Sequence, residues 1–240
     1  MDSSKAAKKL TVLCLHGFFN NTNVVNHQLR HYRQLFGKYV RFVPINAPFE
    51  CENVFDQAIA RMFKAPFYSW YFYDPSTREC RGIEESVEYV VDYINNHGPF
   101  DGVLGFSQGT MMARILLKMN EFKSTFPKLE VDLPKFGVIF SGMFTERARY
   151  FPQYDEDCLK VLTEFQQPML YVYGDKDPLK QNIEGALVKE GDYTIIKHDY
   201  AHNIPKLKYD DLEEFARFFD RMYYNINGEN MELEFSDFDI

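Results

Sequence analysis

Short apolar segments recur along this chain, and each ends in a turn that contains glycine, proline or polar residues. The segments lie at 10–15, 39–45, 102–104, 136–141, 167–173 and 193–198. Such uninterrupted segments are typical of strands buried on both faces of a parallel sheet. Between them, about 24–36, 82–96, 111–117 and 212–224 repeat apolar residues at a helical spacing. Strands that alternate with helices predict an α/β fold, a mostly parallel central sheet flanked by helices.

The length of the chain suits one such domain. Its 240 residues predict a single domain over 1–225. A small cap or loop insertion is expected within it at 47–75, where aromatic residues are dense and only 54–63 has some helical spacing. Residues 226–240 form an acidic tail without basic residues, which is expected to be mobile. The acidic side chains of this tail are Glu229, Glu232, Glu234, Asp237 and Asp239.

Composition and charge narrow the class of protein. Hydrophobic residues make up 45% of the chain, which excludes disorder for its body, and the net charge of −8 argues against nucleic acid as a partner. No segment is long and apolar enough to span a membrane, so a cytoplasmic protein is expected. The cysteines at positions 14, 51, 80 and 158 lack metal-site spacing, and there is no glycine-rich phosphate loop. We therefore expect no metal and no cofactor, and the oligomeric state stays open.

One stretch carries a chemical motif. Residues Gly105-Phe106-Ser107-Gln108-Gly109 match the pattern G-x-S-x-G and lie between an apolar segment and a helical one. In that context the pattern predicts a nucleophile elbow, the strand-turn-helix of α/β-hydrolases that exposes a serine above the sheet. The two outer glycines fit, because a side chain at either place would collide with the neighbouring strand or the departing helix. Ser107 is the candidate nucleophile.

Two further residues are expected to act with Ser107. A serine hydroxyl needs an imidazole to take its proton and a carboxylate to orient that imidazole. In α/β-hydrolases these follow the serine in the order acid, then histidine, and Asp177 and His202 occupy loops after two successive predicted strands. Asp175 stays open as the rival acid, since an aspartate before proline is also common in turns, and His198 stays open as the rival base.

The oxyanion hole of such an enzyme needs two backbone N–H groups. The N–H of Gln108, at the start of the predicted helix, is the first candidate. The second is expected from the loop at 17–19, where Phe18 is favoured and Phe19 is next. His16 ends the preceding strand and is interpreted as shaping this loop.

A dense group of aromatic residues suggests an apolar acyl pocket. The candidates for its wall are Phe19, Phe67, Trp70 and Phe72. Most of them fall in a segment that can reach over the carboxyl edge of the sheet, where α/β proteins bind ligands. No lysine or arginine occurs between residues 65 and 77, so this wall offers nothing to pair with a charged acyl group. The alternative is that these aromatic residues are ordinary core.

Together these motifs resemble the FSH family of serine hydrolases, also called the ovarian-tumour-suppressor-candidate-like hydrolases. The resemblance covers about residues 9–222 and rests on Leu15-His16-Gly17-Phe18, Ser69-Trp70-Tyr71-Phe72, Gly105-Phe106-Ser107-Gln108-Gly109, Gly174-Asp175-Lys176-Asp177 and His202-Asn203-Ile204-Pro205. It implies a compact, cytoplasmic, cofactor-free α/β-hydrolase that cleaves acyl esters or thioesters, with Ser107 as nucleophile, Asp177 as acid and His202 as base. The chain departs from the family pattern at Ala201 and at Pro178-Leu179, which leaves loop shape and substrate choice open.

The sequence therefore predicts a serine hydrolase that cleaves small-molecule carboxylic esters with an apolar acyl group through an acyl-enzyme intermediate. A thioesterase or acyl-protein thioesterase would use the same residues and stays open as an alternative. An alternative of another class is a non-catalytic binding protein on the same fold. The complete set of triad residues in the right order argues against it.

Overall fold

A six-stranded parallel sheet lies at the centre of the protein. The computed structural model describes residues 8–74, 76–77, 79–119, 130, 132–142, 165–185, 187 and 191–233. In chain order the strands of this described part are β1 (Leu10–Leu15), β2 (Val40–Ile45), β3 (Phe49–Glu50), β4 (Tyr68–Ser69), β5 (Phe72–Asp74), β6 (Glu79–Arg81), β7 (Gly102–Phe106), β8 (Phe136–Phe140), β9 (Met169–Gly174) and β10 (Tyr193–His198). The central sheet has the order β10-β9-β8-β7-β1-β2, with every neighbouring pair parallel. The predicted α/β fold is confirmed.

The helices follow the predicted order, with one break. In chain order those within the described residues are α1 (Thr22–Gln28), α2 (Arg30–Phe36), α3 (Gln57–Met62), α4 (Ile83–His97), α5 (Gln108–Lys118), α6 (Lys180–Gly185) and α7 (Tyr209–Asn227). The single helix predicted at 24–36 is thus two helices that meet at Leu29. Leu29 has ψ of 3°, outside the helical range, and its side chain is fully buried in the core. Tertiary packing of Leu29 therefore accompanies a break in the helix that helical spacing does not reveal.

Each face of the central sheet is covered by its own hydrophobic core. In β1, Leu13 and Leu15 belong to the core beneath α4 and α5, whereas Val12 and Cys14 belong to the core beneath α2 and α7. Alternate residues of a strand point to opposite faces, so a strand covered on both sides must be apolar at every position. This explains the uninterrupted apolar segments of the sequence.

The segment 47–74 contains three short strands and one short helix. The strands β3 and β4 pair with each other, as do β5 and β6, and both pairs are antiparallel. Helix α3 is shorter than the helical stretch expected at 54–63, and Asp56 caps it by accepting from the N–H groups of Ala58 and Ile59. An isolated bridge between Asn20 and Tyr68 joins this segment to the loop after β1.

The last helix extends past residue 224, where the helical spacing of the sequence ends. Helix α7 continues to Asn227 and ends at Gly228, which has a φ of 78°. Met231 then packs into the core beside α7 and is 7% exposed, and its backbone N–H donates to Asp220 Oδ1. Apolar residues between the acidic ones therefore hold the first part of the predicted tail against the body. The rest of that tail, 234–240, lies outside the described residues.

Candidate active site

Ser107 occupies a sharp turn between β7 and α5. Its backbone has φ of 49° and ψ of −115°, a conformation that residues with a side chain rarely adopt. A Cβ atom at Gly105 would lie 2.6 Å from the carbonyl oxygen of Gly109, and one at Gly109 would overlap the carbonyl oxygen of Leu15 at the end of β1. Both outer glycines therefore allow the helix to pass close to the sheet, as the motif predicts, and the turn carries Ser107 at the carboxyl edge.

Ser107, His202 and Asp177 form one hydrogen-bonded chain. His202 Nε2 lies 2.8 Å from Ser107 Oγ, and His202 Nδ1 lies 2.8 Å from Asp177 Oδ2. Because a carboxylate only accepts, Nδ1 donates to Asp177, and the neutral form of this ring accepts from the serine hydroxyl at Nε2. The Asp177 side chain is fully buried and also accepts from the N–H of Leu179, whereas the His202 side chain is 25% exposed. This geometry suits transfer of the serine proton to His202.

The rival residues lie in other environments. Asp175 is exposed and forms an ion pair with Lys180 at 2.6 Å, and the hydrogen bond from that ammonium group holds the pKa of the Asp175 carboxyl below its usual range. His198 ends β10, where burial lowers the pKa of its imidazole, and its Nδ1 accepts from the N–H of Tyr200. The structure thus joins His202 to Ser107 and Asp177 to His202 by hydrogen bonds, whereas the two rivals have the other partners just given.

The loop after β1 lies against the elbow. A Cβ atom at Gly17 would be 3.0 Å from the Phe106 ring and 3.4 Å from Ser107 Cβ, so only a glycine allows this approach without displacement. Phe18 is 37% exposed, whereas Phe19 is buried and has φ of 52°. The loop is therefore close enough to Ser107 to contribute a backbone N–H to the same site.

His16 is buried beneath this loop with a partner on each ring nitrogen. Nδ1 lies 2.7 Å from the carbonyl oxygen of Gly17, and Nε2 lies 2.9 Å from the backbone nitrogen of Ala47. Since the Ala47 N–H can only donate, Nε2 accepts and Nδ1 carries the proton. Complete burial lowers the pKa of His16 to about 4, so the imidazole is neutral at pH 7.

The four aromatic residues predicted to form the acyl pocket occupy three different places. Phe19 and Phe67 are buried against each other, with ring centroids 4.5 Å apart, and Trp70 is fully buried in the core below α4 and α5. Phe72 is 41% exposed on β5 and packs on Phe49. Of the four, only Phe72 thus has substantial open surface in this structure, and Trp70 takes the alternative of ordinary core that the sequence left open.

Two functional candidates escaped the sequence reasoning. Phe55 is 56% exposed, and its ring centroid lies 4.8 Å from that of Phe18, which follows Gly17 in the loop that approaches Ser107. The side chain of Gln108 is buried and bonds Ser69, Trp70 and Tyr71. The sequence contains a signal for the Gln108 side chain, because a long amide directly follows Ser107. The spacing of Phe55 contains no comparable signal.

Neither a metal-binding cluster nor a membrane-spanning helix occurs in the described part of the chain. No group of three or more His, Cys, Asp or Glu side chains in it is arranged to hold a metal ion. None of its helices has the length and apolar character needed to cross a bilayer.

The sequence of this chain matches the model of a known protein family. The family model described as "Serine hydrolase (FSH1)" matches residues 4–212 of this chain. "Esterase C25G4.2" from Caenorhabditis elegans is 29% identical, and the match covers 83% of this chain and 88% of that protein.

Solved structures share the fold. The crystal structure of esterase PE8 has a TM-score of 0.56 at 20% identity and covers 92% of this chain and 96% of its own. Acyl-protein thioesterase 2 from Zea mays has a TM-score of 0.53 at 16% identity, over 92% of this chain and 97% of its own. At these levels of sequence identity, the similarity shows a shared fold and nothing further. Since the family model spans most of the chain, this protein belongs to the FSH1 family of serine hydrolases, on an α/β-hydrolase fold.

Proposed function

We propose that this protein hydrolyses carboxylic esters with apolar acyl groups through a covalent acyl-enzyme. Ser107 Oγ attacks the carbonyl carbon while His202 Nε2 takes its proton, and Asp177 keeps His202 in the required tautomer. The tetrahedral intermediate then expels the alcohol, which receives the proton from His202. Water attacks the acyl-Ser107 ester in the same way, with His202 again accepting and returning a proton, and the acid is released with free Ser107.

The observation that carries this proposal is the pair of 2.8 Å contacts that link Asp177, His202 and Ser107. The three residues come from loops after three different strands of the sheet, separated by up to 95 positions in the chain. This arrangement is not required for the stability of the fold, because it places hydrogen-bonded polar side chains at a strained turn on the edge of the sheet. It does match the demands of serine catalysis.

Two backbone N–H groups are proposed to stabilise the oxyanion, those of Phe18 and Gln108. The Gln108 N–H begins α5, and the N-terminal N–H groups of a helix have no partner within the helix. The Phe18 N–H belongs to the loop that approaches Ser107 Cβ through Gly17. These two donors would together stabilise the charge that develops on the carbonyl oxygen.

An apolar acyl group is supported by two exposed aromatic rings, one of which belongs to the loop that approaches Ser107. Phe18 is 37% exposed and Phe55 is 56% exposed, and their rings pack edge to face. The leaving group is set by none of these residues, so thioesters stay an alternative substrate class. A cytoplasmic location stays a prediction from the family resemblance.

Covalent labelling tests the nucleophile. A fluorophosphonate probe is expected to label the wild-type protein at Ser107, and Ser107→Ala is expected to abolish labelling with an unchanged circular dichroism spectrum. Ser76→Ala, at an exposed serine, is the matched control and keeps full labelling. Labelling that persists in Ser107→Ala would refute the assignment. Turnover of p-nitrophenyl butyrate against butyryl-CoA, which share an acyl group, then separates an esterase from a thioesterase.

A further inference from the structure

The direction of the Phe18 N–H is set from the other side of its peptide bond. The Gly17 carbonyl oxygen accepts a 2.7 Å hydrogen bond from His16 Nδ1, and the ring is held in turn by the Ala47 N–H. A trans peptide is planar, so its C=O and N–H groups point in opposite directions. Holding the Gly17 carbonyl therefore also fixes the direction in which the Phe18 N–H points.

Trp70 connects this loop to the elbow. Its indole Nε1–H donates to the carbonyl oxygen of His16 at 2.8 Å, and its backbone N–H donates to Gln108 Oε1 at 2.8 Å. The side chain is fully buried, so water does not compete for either bond. A third contact fixes the backbone of Trp70, because Ser86 Oγ donates to its carbonyl oxygen. Trp70 is thus bonded to both arms of the proposed oxyanion hole.

The side chain of Gln108 completes the connection. Its Nε2 donates to the carbonyl oxygen of Tyr71 at 2.6 Å and lies 3.1 Å from Ser69 Oγ, while its Oε1 accepts from Trp70. These bonds hold the first residue of α5, whose own backbone N–H is the second proposed oxyanion donor. Each amide atom has a partner, as a buried amide requires.

From this network we propose that Trp70 and the Gln108 side chain are positioning residues that hold the Phe18 and Gln108 N–H groups at a fixed separation. The proposal rests on the proposed function, since it presumes that these two groups bind the oxyanion. A donor that is already in place needs no reorganisation as charge develops, so the network favours the transition state over the bound ester. Loss of the network is therefore expected to lower kcat while KM stays nearly constant.

Two substitutions each disconnect Trp70 from one arm of the network: the first removes the bond to His16, and the second removes the bonds of the Gln108 amide. Trp70→Phe keeps an aromatic ring but deletes the indole N–H, and Gln108→Met keeps the length of the side chain and the backbone N–H but deletes the amide. With p-nitrophenyl butyrate, each is expected to lower kcat about tenfold, with KM within about twofold of wild type. Affinity for a trifluoromethyl ketone, which forms an oxyanion on Ser107, is expected to fall in proportion to kcat/KM.

The double variant tests the connection itself. If Trp70 joins the two arms, either substitution alone breaks the connection between them. The loss of kcat in the double variant is then expected to stay close to that of the more damaging single variant. Phe100→Leu is the control, since Phe100 is buried in the same core and lies outside the network. It is expected to lower stability without lowering kcat. Losses that multiply in the double variant, or a kcat that falls equally in Phe100→Leu, would overturn the proposal.

Integrity of the variants has a direct readout. Trp70 is the sole tryptophan, so the wild type, Gln108→Met and Phe100→Leu each give one indole N–H resonance in NMR spectra, dispersed only when the core is packed. If Trp70→Phe fails to fold, Ser69→Ala decides in its place: a loss of kcat at unchanged KM supports the proposal, and wild-type kcat overturns it. Failure of the proposed function is distinct, because then the wild type itself shows no turnover and no labelling at Ser107.

Discussion

Asp177 Oδ2 lies 2.8 Å from His202 Nδ1, whereas Asp175, two residues earlier, pairs with Lys180. Both carboxylates belong to the loop after β9, but their surroundings differ. Asp177 is buried beside the imidazole of His202, whereas Asp175 forms an ion pair at the surface. This contrast leads to the first prediction.

Asp177→Asn is expected to lower kcat by at least about 10²-fold, because an amide no longer enforces the tautomer in which His202 Nε2 accepts the serine proton. Asp175→Asn is expected to stay within a few-fold of wild type, since an exposed ion pair contributes little. Steady-state hydrolysis of p-nitrophenyl butyrate measures both. The reverse order of the two variants would assign the acid to Asp175.

The buried His16 predicts a loss of stability in mild acid. Burial lowers the pKa of His16 from 6.5 to about 4, so the unfolded chain binds a proton between these values and the folded chain does not. The free energy of unfolding therefore falls as pH drops below about 6.5, and this one group accounts for about 2 kcal/mol at pH 5. Below about pH 4 its contribution changes no further.

Urea unfolding at pH 7 and pH 5 checks this dependence. His16→Gln is expected to be less stable at pH 7 but to lose less stability on acidification than the wild type. His97→Gln, at an exposed histidine, is the control and should keep the wild-type dependence. Equal losses in wild type and His16→Gln would show that the acid sensitivity arises elsewhere.

Met231 predicts that the C-terminal region stabilises the domain. Its side chain is buried against the core, and Tyr39 Oη both donates to the Glu232 carbonyl and accepts from the Glu232 N–H. Met231→Ala is expected to lower the free energy of unfolding by about 2–5 kcal/mol, through lost burial and a residual cavity. Glu229→Ala, at an exposed neighbour, is expected to have no comparable effect. Equal stability of both variants would instead support the mobile tail that the acidic composition predicts.

Phe55 predicts a preference for longer acyl chains. If the exposed ring beside Phe18 contacts the acyl group, each methylene that it covers contributes up to about 0.8 kcal/mol. Phe55→Ala should then lower kcat/KM severalfold for hexanoyl esters and leave acetyl esters nearly unchanged. Phe72→Ala tests the pocket wall that the sequence predicted. Phe72 belongs to that wall, and its ring packs on Phe49 and not on Phe55. If Phe72→Ala loses the chain-length preference and Phe55→Ala keeps it, the acyl pocket predicted from the sequence is supported and the role of Phe55 is refuted.

Much of the architecture was accessible from sequence because its causes are local or periodic. A strand covered on both faces is apolar at every position, which β1 and β8 display in their complete burial. The elbow is likewise local, since Gly105, Ser107 and Gly109 meet the demands of one tight turn. These features predicted the fold class and the candidate nucleophile.

Other features depend on contacts between residues distant in the chain, which local patterns do not encode. The choice between Asp177 and Asp175 depends on which carboxylate a separate loop meets. The place of Trp70 was decided in the same way, because apolar surface favours a pocket wall and a core equally until the packing is known. Only the tertiary structure buries Trp70 completely and bonds it to His16 and Gln108. The sequence by itself determined the elements and the reactive turn, and the packing of distant segments decided which polar groups face one another.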